Sequence, residues 1–158
     1  MELVTAGQAK IGRIFTPMQV PDYFDVTITT AQLLALFATP RSILPAPGVG
    51  FFNLFEGALL YMPYNSIAYN GVAAGEDLAV NYTNGGGLQL GSCETTGFLD
   101  QAASKFRWIQ PYRAASGVSD IVAVENAAIV LQLLTGEIAT GNSPLKVRTF
   151  FRRLPTTF

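Results

Sequence analysis

Phe51-Phe-Asn-Leu-Phe-Glu-Gly-Ala-Leu-Leu-Tyr-Met62 is rich in aromatic and aliphatic side chains and holds a single charge, Glu56. It is bounded by the turn-forming run Pro45-Ala-Pro-Gly-Val-Gly50 on one side and by Pro63 on the other, and it reads as a long β-strand. Strict alternation puts Phe51, Phe55, Leu59 and Tyr61 on one face and Phe52, Leu54, Leu60 and Met62 on the other. Both faces are therefore apolar. A sheet with one side in water has no use for that, so either two layers of one domain cover the strand or its outer face meets another subunit.

The neighbouring segments follow the same grammar. Asp25-Val-Thr-Ile-Thr-Thr30 alternates with Val26, Ile28 and Thr30 on one side, and Thr30 is placed to cap a short helix, Ala31–Phe37, that ends at Thr39-Pro40. Arg41–Leu44 reads as a strand, as do Asp77–Tyr82, with Leu78, Val80 and Tyr82 together, and Leu88–Cys93 after the turn signal Asn84-Gly-Gly-Gly87. Phe106, Trp108, Gln110 and Tyr112 share one face of the next strand, and Leu145–Leu154 is the last. Between them, Ser119 to Gly136 is open to two readings, a capped helix or a strand from Ala127; the Ile129-Val130 pair favours the strand, again apolar on both sides, with Ile129 and Leu133 opposing Val130 and Leu134. About eight strands with one or two short helices predict a mainly β protein, an antiparallel sandwich or barrel over residues 24–158. Residues 1–23 contain Pro17 and Pro21 and lack periodicity, which predicts an extended N-terminal arm.

Composition narrows the function. The chain has 158 residues, 49% hydrophobic and only 13% charged, against roughly 25% charged in an average soluble domain. A monomer so short of charge cannot cover itself with charged groups, which predicts a surface covered by partner chains. The net charge of −1 provides no drive toward nucleic acid. No stretch reaches the 18 or so apolar residues of a membrane span, and Met1–Phe15, with Glu2, Lys10 and Arg13, has no apolar core of signal-peptide length; the expectation is a protein made in the cytosol, with no membrane partner.

The chain contains no histidine and one cysteine, Cys93. The usual general base, the commonest metal ligand and every Ser-His or Cys-His arrangement are thereby removed, and no catalytic, cofactor or metal site is expected. Local motifs do not rise above background. Ser143-Pro-Leu-Lys146 has acyl-transferase spacing but sits in a turn; Glu76-Asp77 reads as a solvated acidic pair; Gly85-Gly-Gly87 supplies turn geometry; and Asn81-Tyr-Thr83 is a sequon in form alone. The basic residues cluster. Lys146, Arg148, Arg152 and Arg153 lie in the last thirteen positions, and alternation sets Lys146, Arg148, Phe150 and Arg152 on one face. That face is either the solvated, edge-protecting side of a terminal strand or a contact with an acidic surface or phosphate. In the arm, Ile11, Arg13, Ile14 and Phe15 are the candidate anchors.

The succession resembles small virion proteins of tailed bacteriophages, of the head decoration or cement kind. The stretches that carry it are Phe24-Asp-Val-Thr-Ile-Thr-Thr-Ala-Gln-Leu-Leu-Ala-Leu36, Thr39-Pro-Arg-Ser-Ile-Leu-Pro-Ala-Pro-Gly-Val-Gly50, Ala68-Tyr69, Leu78-Ala-Val-Asn-Tyr82, Gly97-Phe-Leu-Asp100, Asn126-Ala-Ala-Ile-Val-Leu131 and Gly141-Asn-Ser-Pro-Leu-Lys-Val-Arg-Thr-Phe-Phe151. The resemblance implies a β-sandwich of jelly-roll type, a homotrimer, attachment to the major capsid protein or other virion proteins, a location in the virion and no active site. A tail or fibre component is the alternative within that class. A carbohydrate- or receptor-binding sandwich, with Trp108, Tyr69 and Tyr112 as its platform, is the alternative outside it.

Overall fold

A computed structural model describes residues 21–72, 75–112 and 123–157. Along these residues run β1 (Asp22–Ile28), α1 (Thr30–Leu34), β2 (Arg41–Leu44), β3 (Phe51–Met62), β4 (Asp77–Tyr82), β5 (Gln89–Glu94), β6 (Lys105–Ile109), β7 (Ile129–Leu133) and β8 (Leu145–Pro155). One sheet has the order β1-β8-β3-β6 and the other β2-β7-β4-β5, with every pairing antiparallel. Each strand in the first half of the chain thus lies beside its mirror in the second: β1 with β8, β2 with β7, β3 with β6 and β4 with β5. That is a long hairpin rolled over itself, with β3–β8 and β4–β7 pairings closing the two sheets. The fold is an eight-stranded β-sandwich with jelly-roll topology.

The inward faces meet in one core. β4 contributes Leu78, Val80 and Tyr82, and β7 contributes Ile129, Leu131 and Leu133; Ile28, Leu60, Met62, Leu145 and Val147 face them from the other sheet. Each such side chain adds roughly 1.5–3 kcal/mol when fully buried. Two polar groups tie the sheets together within this core. The Tyr82 hydroxyl donates to the Asn53 carbonyl at 2.5 Å, and Thr149 Oγ1 donates to the Ile43 carbonyl at 3.3 Å. Burial pushes the Tyr82 phenol up to about 12, so it remains a donor throughout the range in which the protein is handled.

Several expectations change in detail. Thr29, rather than Thr30, caps α1: its side chain accepts from the Gln32 amide while the Gln32 side chain accepts from the Thr29 amide, a reciprocal capping box that Thr30 has no Glu or Gln partner to form. Thr30 is consequently helical and does not continue the face of Val26 and Ile28. β1 begins at Asp22, two residues inside the segment read as an arm. Residues 1–20, with Ile11, Arg13, Ile14 and Phe15, lie outside the described residues.

The strand reading of the 129–133 stretch holds, and all five residues of β7 are buried. Its outer face is covered within the chain. Gln132 Nε2 and Asn81 Nδ2 both donate to the Gly85 carbonyl, folding the loop after β4 over Val130, Gln132 and Asn81. For β7, then, a layer of the same domain covers Val130, while Leu134, just past the strand, is exposed.

β3 differs from strict alternation. Phe55 pairs with Phe151 but Gly57 pairs with Phe150, so Glu56 is an extra, bulged residue. Gly57 has φ +143°, in the region that glycine alone occupies comfortably. Past the bulge the side-chain parity inverts: Phe55 joins the core together with Ala58, Leu60 and Met62, while Leu59 and Tyr61 turn outward. The straight-strand assignment of Phe55 to the face of Leu59 and Tyr61 is therefore incorrect.

Candidate functional site

β8 is an interior strand, flanked by β1 and β3, and not a sheet edge. Its outward side chains Lys146, Arg148, Phe150 and Arg152 consequently stand in the middle of a broad face rather than guarding a margin. Edge protection does not explain them.

The register builds that face row by row. Thr27, Lys146, Tyr61 and Phe106 lie side by side across the sheet; Asp25, Arg148, Leu59 and Trp108 form the next row; Tyr23, Phe150 and Gly57 form the third. Three large aromatics on it are well exposed, Phe106 at 65%, Tyr23 at 58% and Trp108 at 43%. The face is ordered by its own contacts. Tyr61 and Phe106 stack with ring centroids 4.4 Å apart, and Trp108 lies 5.5 Å from Phe150. The Trp108 ring rests on Gly57, where a Cβ would come within 2.3 Å of it.

Its charges are mostly paired. Arg148 Nε and Nη2 donate to the two Asp25 carboxylate oxygens at 2.8 and 2.7 Å, and the same guanidinium lies 4.3 Å from the Tyr23 ring centroid. The Arg148 hydrogen bond holds the Asp25 carboxyl below its ordinary range and raises the guanidinium in return. Arg152 is paired with Glu56 at 2.6 Å. Lys146 makes no ion pair among the described residues. It lies in a groove of about 410 Å³ with Asp25, Thr27, Leu59, Tyr61, Phe106 and Arg148.

Thus the four β8 residues singled out in the sequence are brought together, joined by Leu59 and Tyr61 of the strand apolar on both sides and by Tyr23, Asp25 and Phe106, which were not singled out as contacts. Sequence alternation finds neighbours along one strand; neighbours across strands need the register, which no local signal supplied. The aromatic platform does not form. Tyr69 is buried, its hydroxyl donating to the Ser143 carbonyl, and the Tyr112 hydroxyl meets Ser92 Oγ at 2.7 Å beside β5, away from the row of Trp108.

The remaining motifs serve the fold. Ser143 is buried and its hydroxyl accepts from the Asn65 amide, so it is no nucleophile partner of the outward Lys146. Glu76 is buried, not solvated, with its carbonyl accepting from the Thr95 amide and hydroxyl. Asn81 is buried against the Gly85 loop, where no glycan could be added. Burial pushes the Cys93 thiol up to about 12, opposed only in part by Arg107. In the native protein at pH 8, Cys93 should react with a disulfide reagent at least tenfold more slowly than in urea, a contrast that equal rates would refute.

No family model matches the sequence, and no curated protein matches it. Among solved structures, the chain is similar to one in the cyanophage Pam1 capsid asymmetric unit, at 18% sequence identity and a TM-score of 0.44, over 84% of this chain and 82% of that one.

Proposed function

We propose that this chain is a structural protein of a tailed-bacteriophage virion, a decoration protein that strengthens the head by packing against the shell. The observation that carries the reading is the outer face of the β1-β8-β3-β6 sheet: exposed Tyr23, Phe106 and Trp108 surround Leu59 and Arg148 on a rigid framework. Aromatic residues and arginine dominate the energetics of protein interfaces, and a solitary domain gains nothing by leaving them in water. The low charge content and the resemblance of segments 24–151 to phage decoration proteins support the same reading. The jelly-roll topology suits it too, being common in viral capsid domains, although lectins and cupins share it.

The partners proposed are the major capsid protein and further copies of this chain, a homotrimer being the expected assembly. The N-terminal residues Ile11, Arg13, Ile14 and Phe15 are proposed as additional anchors. Shells of the source phage assembled without this chain supply the test. Purified protein should sediment with them saturably, and light scattering of the free protein should give a mass of three copies rather than the 17.0 kDa of one. Deleting residues 1–20 should leave the sandwich folded, since β1 begins at Asp22, yet weaken attachment. A protein that does not sediment with shells contradicts the reading.

A further inference from the structure

Covering the sheet face would have unequal consequences for its three central cations. Arg148 and Arg152 enter any interface already neutralised by Asp25 and Glu56. Lys146 does not: among the described residues it makes no ion pair, and the groove it shares with Leu59, Tyr61 and Phe106 holds one carboxylate, Asp25, which is already engaged by Arg148. A lone ammonium sealed there would lose its hydration without a counter-charge, which disfavours any purely apolar partner.

Resting on the proposed role of this face, we infer that the surface docking on it belongs to the shell subunit and presents a carboxylate to Lys146, flanked by apolar side chains that cover Leu59, Tyr61 and Phe106. Charge complementarity also disfavours a self-association with Lys146 on its axis. A two-fold contact centred on the groove would set Lys146 of one copy against Lys146 of the other, a like-charge pair in a dry interface. Nor does the groove suit a run of phosphates, since it offers one unpaired cation and holds the Asp25 carboxylate beside its apolar groups.

The sign of one substitution tests this. Lys146 is exposed in the free protein, so Lys146→Met should fold normally. If the opposing surface is apolar and uncharged, removing the ammonium removes a desolvation cost and Lys146→Met binds shells more tightly. If a carboxylate faces it, that carboxylate is stranded and binding weakens about thirtyfold, with Lys146→Glu weaker still. The measurement is sedimentation of each variant with shells lacking this chain, at 50 and 300 mM salt, alongside Phe106→Ala as a probe of the face itself. Weakening by both Phe106→Ala and Lys146→Met, with a smaller salt dependence for the latter, is expected. Weakening by Phe106→Ala with unchanged or tighter binding of Lys146→Met overturns the carboxylate and leaves the face standing. Unchanged binding of Phe106→Ala overturns both. A Lys146→Met that alters the mass of the free oligomer instead assigns the groove to a second copy and also overturns the inference.

Discussion

Replacing Phe55 or Leu60 with alanine should destabilise the protein by about 3–5 and 2–5 kcal/mol respectively, while Leu59→Ala should cost under about 1 kcal/mol. The positions differ in parity, and a regular strand could not bury both Phe55 and Leu60 on one side. The bulge at Glu56 makes it possible: Phe55 is 4% and Leu60 0% exposed, both within the core, whereas Leu59 faces outward beside Trp108 and Arg148. Urea denaturation of the three variants measures the difference. A straight strand would pair Phe55 with Leu59 in cost, and that result would remove the bulge from the account. It would also remove the outward placement of Leu59 and Tyr61 on which the proposed docking face depends.

Gly57→Ala should be nearly as damaging although it adds a single methyl group. Its backbone, at φ +143°, lies where an L-residue is strained, which costs about 1–3 kcal/mol. The new Cβ would also meet Trp108 Cζ2 at 2.3 Å and Cη2 at 2.8 Å, so the ring must leave its seat. Crowding of that kind costs typically 1–3 kcal/mol. Because the indole is half-exposed and can swing outward, the second cost falls toward the low end, and a total of about 2–4 kcal/mol is expected. Trp108 is the chain's one tryptophan, so the displacement can be read directly. Emission should shift to the red as the ring leaves Gly57 and Phe150 for water. An unchanged spectrum with a loss below 0.5 kcal/mol would show that the ring does not rest on this glycine.

These two tests concern the feature of β3 that was hidden in the sequence. Its limits, Phe51 to Met62, were legible from flanking prolines and glycines, and its apolarity on both sides was legible as well. Gly57 was visible, but a glycine within a strand signals a bulge only once the partner strand is known. The same distinction runs through the molecule. β8 alternates without interruption over Leu145–Thr149, and its outward Lys146, Arg148 and Phe150 were placed together correctly. Reading β8 as a terminal strand in space as well as in sequence failed, because jelly-roll topology returns the last strand to the middle of a sheet. Tyr69 lies between strands, where no periodicity reports burial, so the alternative of a surface platform that includes it is open in the sequence although it packs in the core.

Legibility of the proposed docking face followed the same line. Low charge content announced that something on the protein is covered, but the two strands apolar on both sides turned out to have different coverings. For β7 the Gly85 loop does the work within the chain; for β3, Leu59 and Tyr61 stay half-exposed beside Trp108 and Phe106. Only the register across β1, β8, β3 and β6 assembles the aromatic rows, and among the outward β8 cations Lys146, unlike Arg148 and Arg152, makes no ion pair with a described residue.

The proposed role requires that this sheet face is where the protein meets the virion. Electron cryomicroscopy of the source particle, at a resolution that places side chains, tests it most directly. The chain is expected on the outside of the head, with Phe106, Trp108 and Lys146 turned toward the shell and buried by it. Finding the chain with that face open to solvent, or finding it nowhere in the particle, would contradict it.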